Sequence, residues 1–307
     1  MSSPDNPLSE TQAPAEVQPE LLPAILTNPV LTNPVLTDPV LTNIDPALVP
    51  ALSVAPVPAT QQKGENPVWS GWDVLLIALL TLGTMFIVEL LTVIGAKALV
   101  YPHTDFGDVA QKPGLVILGE FLAYLVVAAY MIMLVQGKYH QPFWQAIRWN
   151  WPRNVVVMLL LGMFTVSLDL LSRYLPMPKT TPFDQFFARP SDAYLMVVFA
   201  ITFGPLMEEL FFRGFLYPVL ERWTGATLAV VLTALPFGLI HYVQYKSWAA
   251  VLVIALVGVV LTTVRAVTKS VAASFLVHVG YNGTLMALAA LATDGFRHME
   301  KAAVLSF

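Results

Sequence analysis

Three charged side chains lie in an otherwise apolar stretch of the chain. Glu208, Glu209 and Arg213 are surrounded by Met, Leu and Phe residues between Val197 and Tyr217. A charged side chain near the middle of a membrane helix costs roughly 2.5–3.5 kcal/mol. Three such charges would cancel most of the gain from about fifteen apolar neighbours, each worth roughly 0.3–0.6 kcal/mol. The charges must therefore pair with one another, lie in a wet cavity or take part in chemistry.

The spacing of the three charges separates two roles. Glu209 and Arg213 are four residues apart, which places them on one face of a helix as an ion pair. Glu208 is rotated by about 100° from Glu209 and has no counter-charge within the motif. A buried carboxylate without a counter-charge is a candidate general base near neutral pH. The preceding Gly204-Pro205 pair can kink the helix and open space at that depth. A purely architectural Glu–Arg pair is the alternative, and it leaves Glu208 unexplained.

Two further polar motifs follow on later apolar stretches. Phe237 and His241 are four residues apart, as are His278 and Asn282, so each pair shares a helix face. A His and an Asn on one face can both donate hydrogen bonds to one oxygen, as an oxyanion site requires. Taken singly, His241 could be an interfacial residue, and His278 with Asn282 could form a polar contact between helices.

Considered together, the three motifs indicate a single hydrolytic site. Of the five histidines in the chain, only His241 and His278 fall within predicted membrane spans, and each belongs to a motif. A water between Glu208 and His241, facing His278 and Asn282 as oxygen-binding groups, has the components needed to hydrolyse an amide.

These three motifs resemble those of the CAAX prenyl protease and bacteriocin-processing family of intramembrane proteins. The family patterns are a double Glu followed three residues later by Arg, then Phe-x-x-x-His, then His-x-x-x-Asn. All three occur here in that order, on the fourth, fifth and seventh predicted spans, without a departure at any motif position. The resemblance covers residues 192–293, the motif-bearing core.

The resemblance implies an intramembrane, glutamate-dependent endopeptidase that needs no metal or other cofactor. Glu208 would activate water with the help of His241, and His278 with Asn282 would stabilise the oxyanion. The supporting residues would be Glu209, Arg213 and Phe237. In the family the activity includes cleavage after a prenylated cysteine, and bacterial members are linked to peptide maturation, bacteriocin self-immunity or signalling.

Two other classes of function remain open. One is a metal-dependent intramembrane protease, in which Glu208, His241 and His278 form a two-His, one-carboxylate ligand set. The other is a non-catalytic membrane protein, either an immunity protein or a proton-coupled transporter, because intramembrane Glu and His also form proton relays.

Composition predicts the elements that must position these residues. Hydrophobic residues make up 56% of the 307 residues, and charged residues make up 12%, against about 25% in soluble domains. The apolar residues form blocks of about 20, the length that crosses a bilayer. We therefore expect an all-α, polytopic membrane helix bundle, placed as an integral multi-pass protein in a bacterial plasma membrane. Its partners are the lipid bilayer and a membrane-associated peptide or protein substrate.

Charge and cysteine content exclude other classes. A net charge of −4 provides no basic surface for nucleic acid. Without cysteine, the chain has neither disulfides nor thiolate nucleophiles. The oligomeric state is not indicated by the sequence.

The chain is expected to have two regions, a tail without spans and a membrane domain with seven spans. Residues 1–66 contain a Pro/Asn/Thr-rich repeat that starts at Leu26, and they predict a disordered tail. Residues 67–307 form the membrane domain. Trp69 and Trp72 are expected to anchor the first span at the interface, and the Trp-rich connection of residues 137–153 to form an interfacial helix. The predicted spans are 72–100, 113–136, 154–175, 192–218, 225–243, 248–267 and 270–293.

Three carboxylates stand alone in the first three predicted spans: Glu89, Glu120 and Asp169. Each is expected to have a structural role, such as pairing across helices, and all three could line the cavity that holds Glu208.

Overall fold

The computed structural model describes residues 67–299, and the structural statements below refer to that range. The predicted disordered tail and its repeat lie outside the described residues. The described part is helical and contains no strand, and seven of its helices are long and apolar enough to cross a membrane. The predicted all-α bundle of seven spans is therefore confirmed, and the chain is an integral multi-pass membrane protein. The spans are Gly71–Leu99, Pro113–Lys138, Val155–Tyr174, Pro190–Thr224, Ala226–Tyr245, Trp248–Thr268 and Val271–Ala292.

The first two spans pack along each other. Helix α1 (Gly71–Leu99) begins at a capping box in which Ser70 and Asp73 satisfy each other's backbone N–H groups. A short helix, α2 (Phe106–Ala110), leads to α3 (Pro113–Met133), which continues as a π-helical turn, Leu134–Lys138. These helices form one wall of the bundle.

The two tryptophans before α1 differ in their environments. The Trp72 side chain is exposed, as expected for an interfacial anchor, but Trp69 is only 1% exposed. Its indole Nε1 donates to the Phe215 carbonyl at 3.0 Å, and its ring centroid lies 4.6 Å from that of Phe215. The prediction that Trp69 is an interfacial anchor is therefore wrong, because its N–H group has a buried acceptor in the fourth span.

The Trp-rich connection contains much less helix than expected. After the π turn ends at Lys138, only α4 (Phe143–Ala146) is helical, because Pro142 precedes it and Arg148 follows it with a positive φ of 60°. The tryptophans of this connection pack edge to face in the series Trp144, Trp149 and Trp151. The connection is thus an aromatic cluster around one helical turn.

The fourth span, expected as one helix, is interrupted twice. Its first break lies at Thr202, and the ring of Pro205 explains this position because it clashes with the carbonyl four residues earlier, at Ile201. The second irregularity is a wide π-helical turn that begins directly after Glu209. The segments of this span are α6 (Pro190–Ile201), α7 (Phe203–Glu209), the π turn (Leu210–Leu216) and α8 (Tyr217–Thr224).

The remaining helices complete the bundle. The third span starts as α5 (Val155–Thr165) and continues as a 3₁₀ helix, Val166–Tyr174. Later helices are α9 (Ala226–Ile240), α10 (Tyr242–Tyr245), α11 (Trp248–Thr268) and α12 (Val271–Ala292).

Glycines bring two pairs of helices unusually close. A Cβ atom on Gly280 of α12 would lie 2.4 Å from the Leu159 carbonyl of α5, and one on Gly162 would lie 2.1 Å from the Val277 carbonyl. Between α9 and α11, a Cβ on Gly258 would meet the Phe237 ring at 2.9 Å. Close packing without side chains at these points is typical of membrane helix pairs, and it brings the backbone of α12 against that of α5.

Candidate active site

Side chains from all three sequence motifs line one internal cavity of about 170 Å³. Glu208 reaches it from the end of α7, His241 from the end of α9, and His278 and Asn282 from successive turns of α12. The structure therefore brings together the four residues to which the sequence assigned the chemistry.

Glu209 and Arg213 form the buried ion pair expected from their spacing. The distance between Arg213 Nη1 and Glu209 Oε1 is 2.9 Å, and both side chains are 0% exposed. The other Glu209 oxygen, Oε2, lies 2.6 Å from the Ser274 hydroxyl, which donates to it. All the charge of this pair is thus compensated inside the bundle.

Helix α11 holds the guanidinium group in place. Arg213 Nη2 donates to the Gly258 carbonyl at 3.1 Å, and Nε donates to the Thr262 hydroxyl at 3.2 Å. The guanidinium carbon also lies 4.3 Å from the centroid of the Phe237 ring, a cation–π contact. A buried arginine needs this number of partners to offset its desolvation.

The imidazole of His278 lies between the two glutamates. Its Nδ1 is 3.0 Å from Glu209 Oε1, and its Nε2 is 3.7 Å from Glu208 Oε2. Glu209 is ionised because it is paired with arginine, so it can only accept, and the hydrogen on this side of the ring is therefore on Nδ1. A neutral His278 consequently presents the lone pair of Nε2 toward Glu208.

His241 also presents its Nε2 to Glu208, at the other carboxylate oxygen. Its Nδ1 lies 2.8 Å from the Phe237 carbonyl, which can only accept, so Nδ1 carries the hydrogen. The free Nε2 is 3.9 Å from Glu208 Oε1. The Glu208 carboxylate thus faces two imidazole Nε2 atoms, neither of which is within direct hydrogen-bonding distance.

Asn282 extends the cavity wall toward the broken fourth span. Its Nδ2 donates to the Ala200 carbonyl at 2.7 Å, in the last turn of α6. Because the partner is a carbonyl oxygen, the amide orientation is determined, and a second N–H of the same group is left for another acceptor.

Phe237 packs against the two histidines of the site. It is buried, and its ring lies edge to face with His241 at 5.1 Å and with His278 at 5.9 Å between centroids. One ring thus touches both histidines and Arg213, which explains why an aromatic residue occupies the first position of the second motif.

Two of the three lone carboxylates reach the same cavity. Glu120 accepts a hydrogen bond from Tyr124 at 3.0 Å, and Asp169 accepts one from Tyr281 at 3.1 Å. Glu89 is not among the lining residues; its backbone packs against Gly119.

Sequence reasoning missed Ser274 and Tyr281 as parts of the site. Both lie on α12, and Ser274 precedes His278 by four residues. That spacing places Ser274 and His278 on one helix face and could have suggested that both contact one partner. Tyr281 had no such signal, because its partner Asp169 belongs to another span.

The metal-dependent alternative requires Glu208, His241 and His278 to form one ligand set. Within residues 67–299, no group of three or more His, Asp or Glu side chains has the arrangement of a metal site. The Nε2 atoms of His241 and His278 nevertheless lie within 4 Å of the Glu208 carboxylate, at 3.9 Å and 3.7 Å.

Fold and site together define a multi-pass membrane protein with an internal acid–imidazole site between its fourth, fifth and seventh spans. Residues 190–284 match the family model described as type II CAAX prenyl endopeptidase Rce1-like. This match confirms, for residues 190–284, the resemblance inferred from the motifs, and the matched segment contains all three of them. No curated protein and no solved structure matches the chain.

Proposed function

We propose that this protein is an intramembrane, glutamate-dependent endopeptidase. The observation that carries the proposal is the position of Glu208, whose two carboxylate oxygens lie 3.9 Å from His241 Nε2 and 3.7 Å from His278 Nε2. The match of residues 190–284 to a CAAX endopeptidase family supports it independently.

The separations around Glu208 suit a bridging water. Each exceeds a direct hydrogen bond, yet one water could contact both a carboxylate oxygen and an Nε2 atom. With both rings neutral, three acceptors would face this water, which has two hydrogens to donate. If one imidazole is protonated, it donates to the water oxygen, and the two hydrogens of the water remain for the other two groups. His278 is the imidazole to which we assign this proton, because Glu209 accepts a hydrogen bond from its opposite nitrogen.

The proposed reaction divides the work among these residues. Glu208 removes a proton from the water while the water oxygen bonds to the carbonyl carbon of the peptide, and His241 orients the water by accepting its other hydrogen. Protonated His278 and the free N–H of Asn282 donate to the developing oxyanion. Glu208 then passes its proton to the amide nitrogen as the C–N bond breaks, which releases an acid and an amine.

The substrate that we propose is a membrane-associated protein or peptide, with prenylated substrates included. Apolar side chains supply much of the cavity wall, which suits an apolar or lipid-modified segment. The lining residues of this type include Met177, Phe183, Met196, Leu285 and Met286. A bacterial plasma membrane is the proposed location, with peptide maturation or bacteriocin self-immunity as the process served.

Comparison of peptide termini in cells tests the proposal directly. Cells producing the wild-type protein should contain new termini that are missing from cells producing Glu208→Gln at equal abundance. The Gln side chain keeps the size of the carboxylate and removes its basicity. Identical termini in the two cell populations would contradict hydrolysis by this site. Persistence of an immunity or transport phenotype in Glu208→Gln cells would favour the non-catalytic alternative.

Metal-dependent hydrolysis is a second candidate, favoured by the orientation of both imidazoles. Each Nδ1–H is held by an acceptor, a carbonyl for His241 and a carboxylate for His278, as is common for metal-ligating histidines. Purified protein should be freed of metal with a chelator, checked by elemental analysis and assayed for cleavage. Full activity of the metal-free protein would remove this candidate, and recovery only with added metal would replace the glutamate-only mechanism.

A further inference from the structure

The π turn that follows the two glutamates has two backbone carbonyls bonded to distant side chains. A π turn is wider than an α-helical turn, so the regular i to i−4 partners are shifted and some carbonyls need other donors. The Arg213 carbonyl accepts from Arg265 Nε at 3.1 Å. The Phe215 carbonyl accepts from Trp69 Nε1 at 3.0 Å. Each of these bonds links the turn to a different part of the bundle.

Both donors are enclosed by the protein. Trp69 and Arg265 are each 1% exposed. Arg265 belongs to α11, the helix that also binds the Arg213 guanidinium through Gly258 and Thr262. The turn is thus held by α11 at both the backbone and the side chain of one residue.

Trp69 approaches from the chain segment that precedes α1. Its ring packs on Phe215, and its own carbonyl accepts from Arg222 Nη2 of α8 at 3.2 Å. Arg222 Nη1 also donates to the Pro67 carbonyl at 3.0 Å. The entry to the first span is therefore attached to the π turn and to the helix that follows it.

The position of this turn matters for the chemistry because Arg213 lies within it. Its backbone accepts from Arg265, while its guanidinium orients Glu209, which in turn orients the His278 ring. We propose that Trp69 and Arg265 are positioning residues, which set the width of the π turn and thereby the alignment of Glu208 with His278. This inference rests on the proposed endopeptidase function. A displacement of about 1 Å in such an array can reduce turnover by roughly 100-fold.

A single substitution removes the Trp69 hydrogen bond while keeping the packing. In Trp69→Phe, a ring still contacts Phe215 but no N–H reaches its carbonyl. The matched control is Trp72→Phe, which changes an exposed tryptophan three residues away. The assay uses an internally quenched peptide built on a cleavage site found by terminal proteomics, and turnover is normalised to folded protein.

We expect kcat of Trp69→Phe to fall about 10-fold while KM stays within about 2-fold, because catalytic alignment is lost and substrate contacts are not. Arg265→Lys, which retains the charge and loses the Nε donor, should also lower kcat and leave KM nearly unchanged. Trp72→Phe should match the wild type in both constants.

Three results would overturn the positioning role. These are wild-type kcat in both variants, a rise in KM at unchanged kcat, or a loss of activity that only follows the loss of folded protein. Failure of the proposed function has a separate signature, since Glu208→Gln would then cleave the same peptide as fast as the wild type.

Discussion

Glu208 and His241 face each other across the cavity, with 3.9 Å between Oε1 and Nε2. They come from the fourth and fifth spans, and neither has a charged partner within its own motif. By contrast, the neighbouring Glu209 is fully paired with Arg213. Two adjacent glutamates thus occupy different environments, one arranged for chemistry and the other for holding the site together.

Replacement of His278 by glutamine tests whether the ring must carry a proton. The Gln amide can donate to Glu209 but cannot become a cation, so we expect turnover to fall by roughly 10²–10³-fold, as when an oxyanion donor is lost. Protein abundance should remain close to that of the wild type. Turnover near the wild-type level would mean that an uncharged donor suffices at this position.

Arg213→Ala should lower the amount of folded protein in the membrane. The change leaves the Glu209 carboxylate buried without its cation, which costs about 3–5 kcal/mol. Quantitative blotting of membrane fractions and thermal unfolding in detergent measure the effect.

Arg189→Ala is the matched control, because Arg189 is paired with Asp192 at 2.7 Å while its own side chain is 68% exposed. The Asp192 side chain is only 12% exposed, but it lies in the first turn of α6, where the helix N-terminus stabilises a carboxylate that has lost its partner, so this variant should lose less folded protein than Arg213→Ala. Equal loss of both proteins would contradict the special role of the buried pair.

Asn282→Ala should impair the chemical step more than substrate binding. The amide N–H that Ala200 leaves free is the proposed second donor to the oxyanion, and its removal should reduce kcat by roughly 10²–10³-fold at similar KM. Steady-state cleavage of the quenched peptide separates the two constants. A variant with unchanged kcat would remove Asn282 from the proposed mechanism.

Gly280→Ala should disturb the helix that carries His278 and Asn282. The added methyl group would lie 2.4 Å from the Leu159 carbonyl, so α12 must move away from α5. Overpacking of this kind costs about 1–3 kcal/mol, and we expect a lower unfolding temperature together with reduced turnover.

Gly283→Ala provides the comparison on the same helix, since a Cβ there would meet nothing within 4 Å. It should be as stable and active as the wild type. If the Gly280 variant behaves like it, the close approach of α5 and α12 does not position the site.

Several features of the fold could be read from local patterns because each depends on one helix at a time. Apolar length locates the spans, since a bilayer has a fixed thickness. Helical periodicity pairs Glu209 with Arg213 and places His278 near Asn282. The same reasoning gave the wrong environment for Trp69. A tryptophan near the start of a span is predicted to be interfacial, because the local sequence does not show whether its N–H has a buried acceptor.

Sequence by itself determined that this chain crosses the membrane and that three spans carry polar motifs, because hydrophobic length and four-residue spacing are properties of single segments. Tertiary structure alone decided which nitrogen of each histidine faces Glu208, that Ser274 completes the shell of Glu209, and that Trp69 binds the π turn. These features depend on how helices distant in sequence cross, and that crossing is set by close packing at positions such as Gly280, which no local pattern reveals.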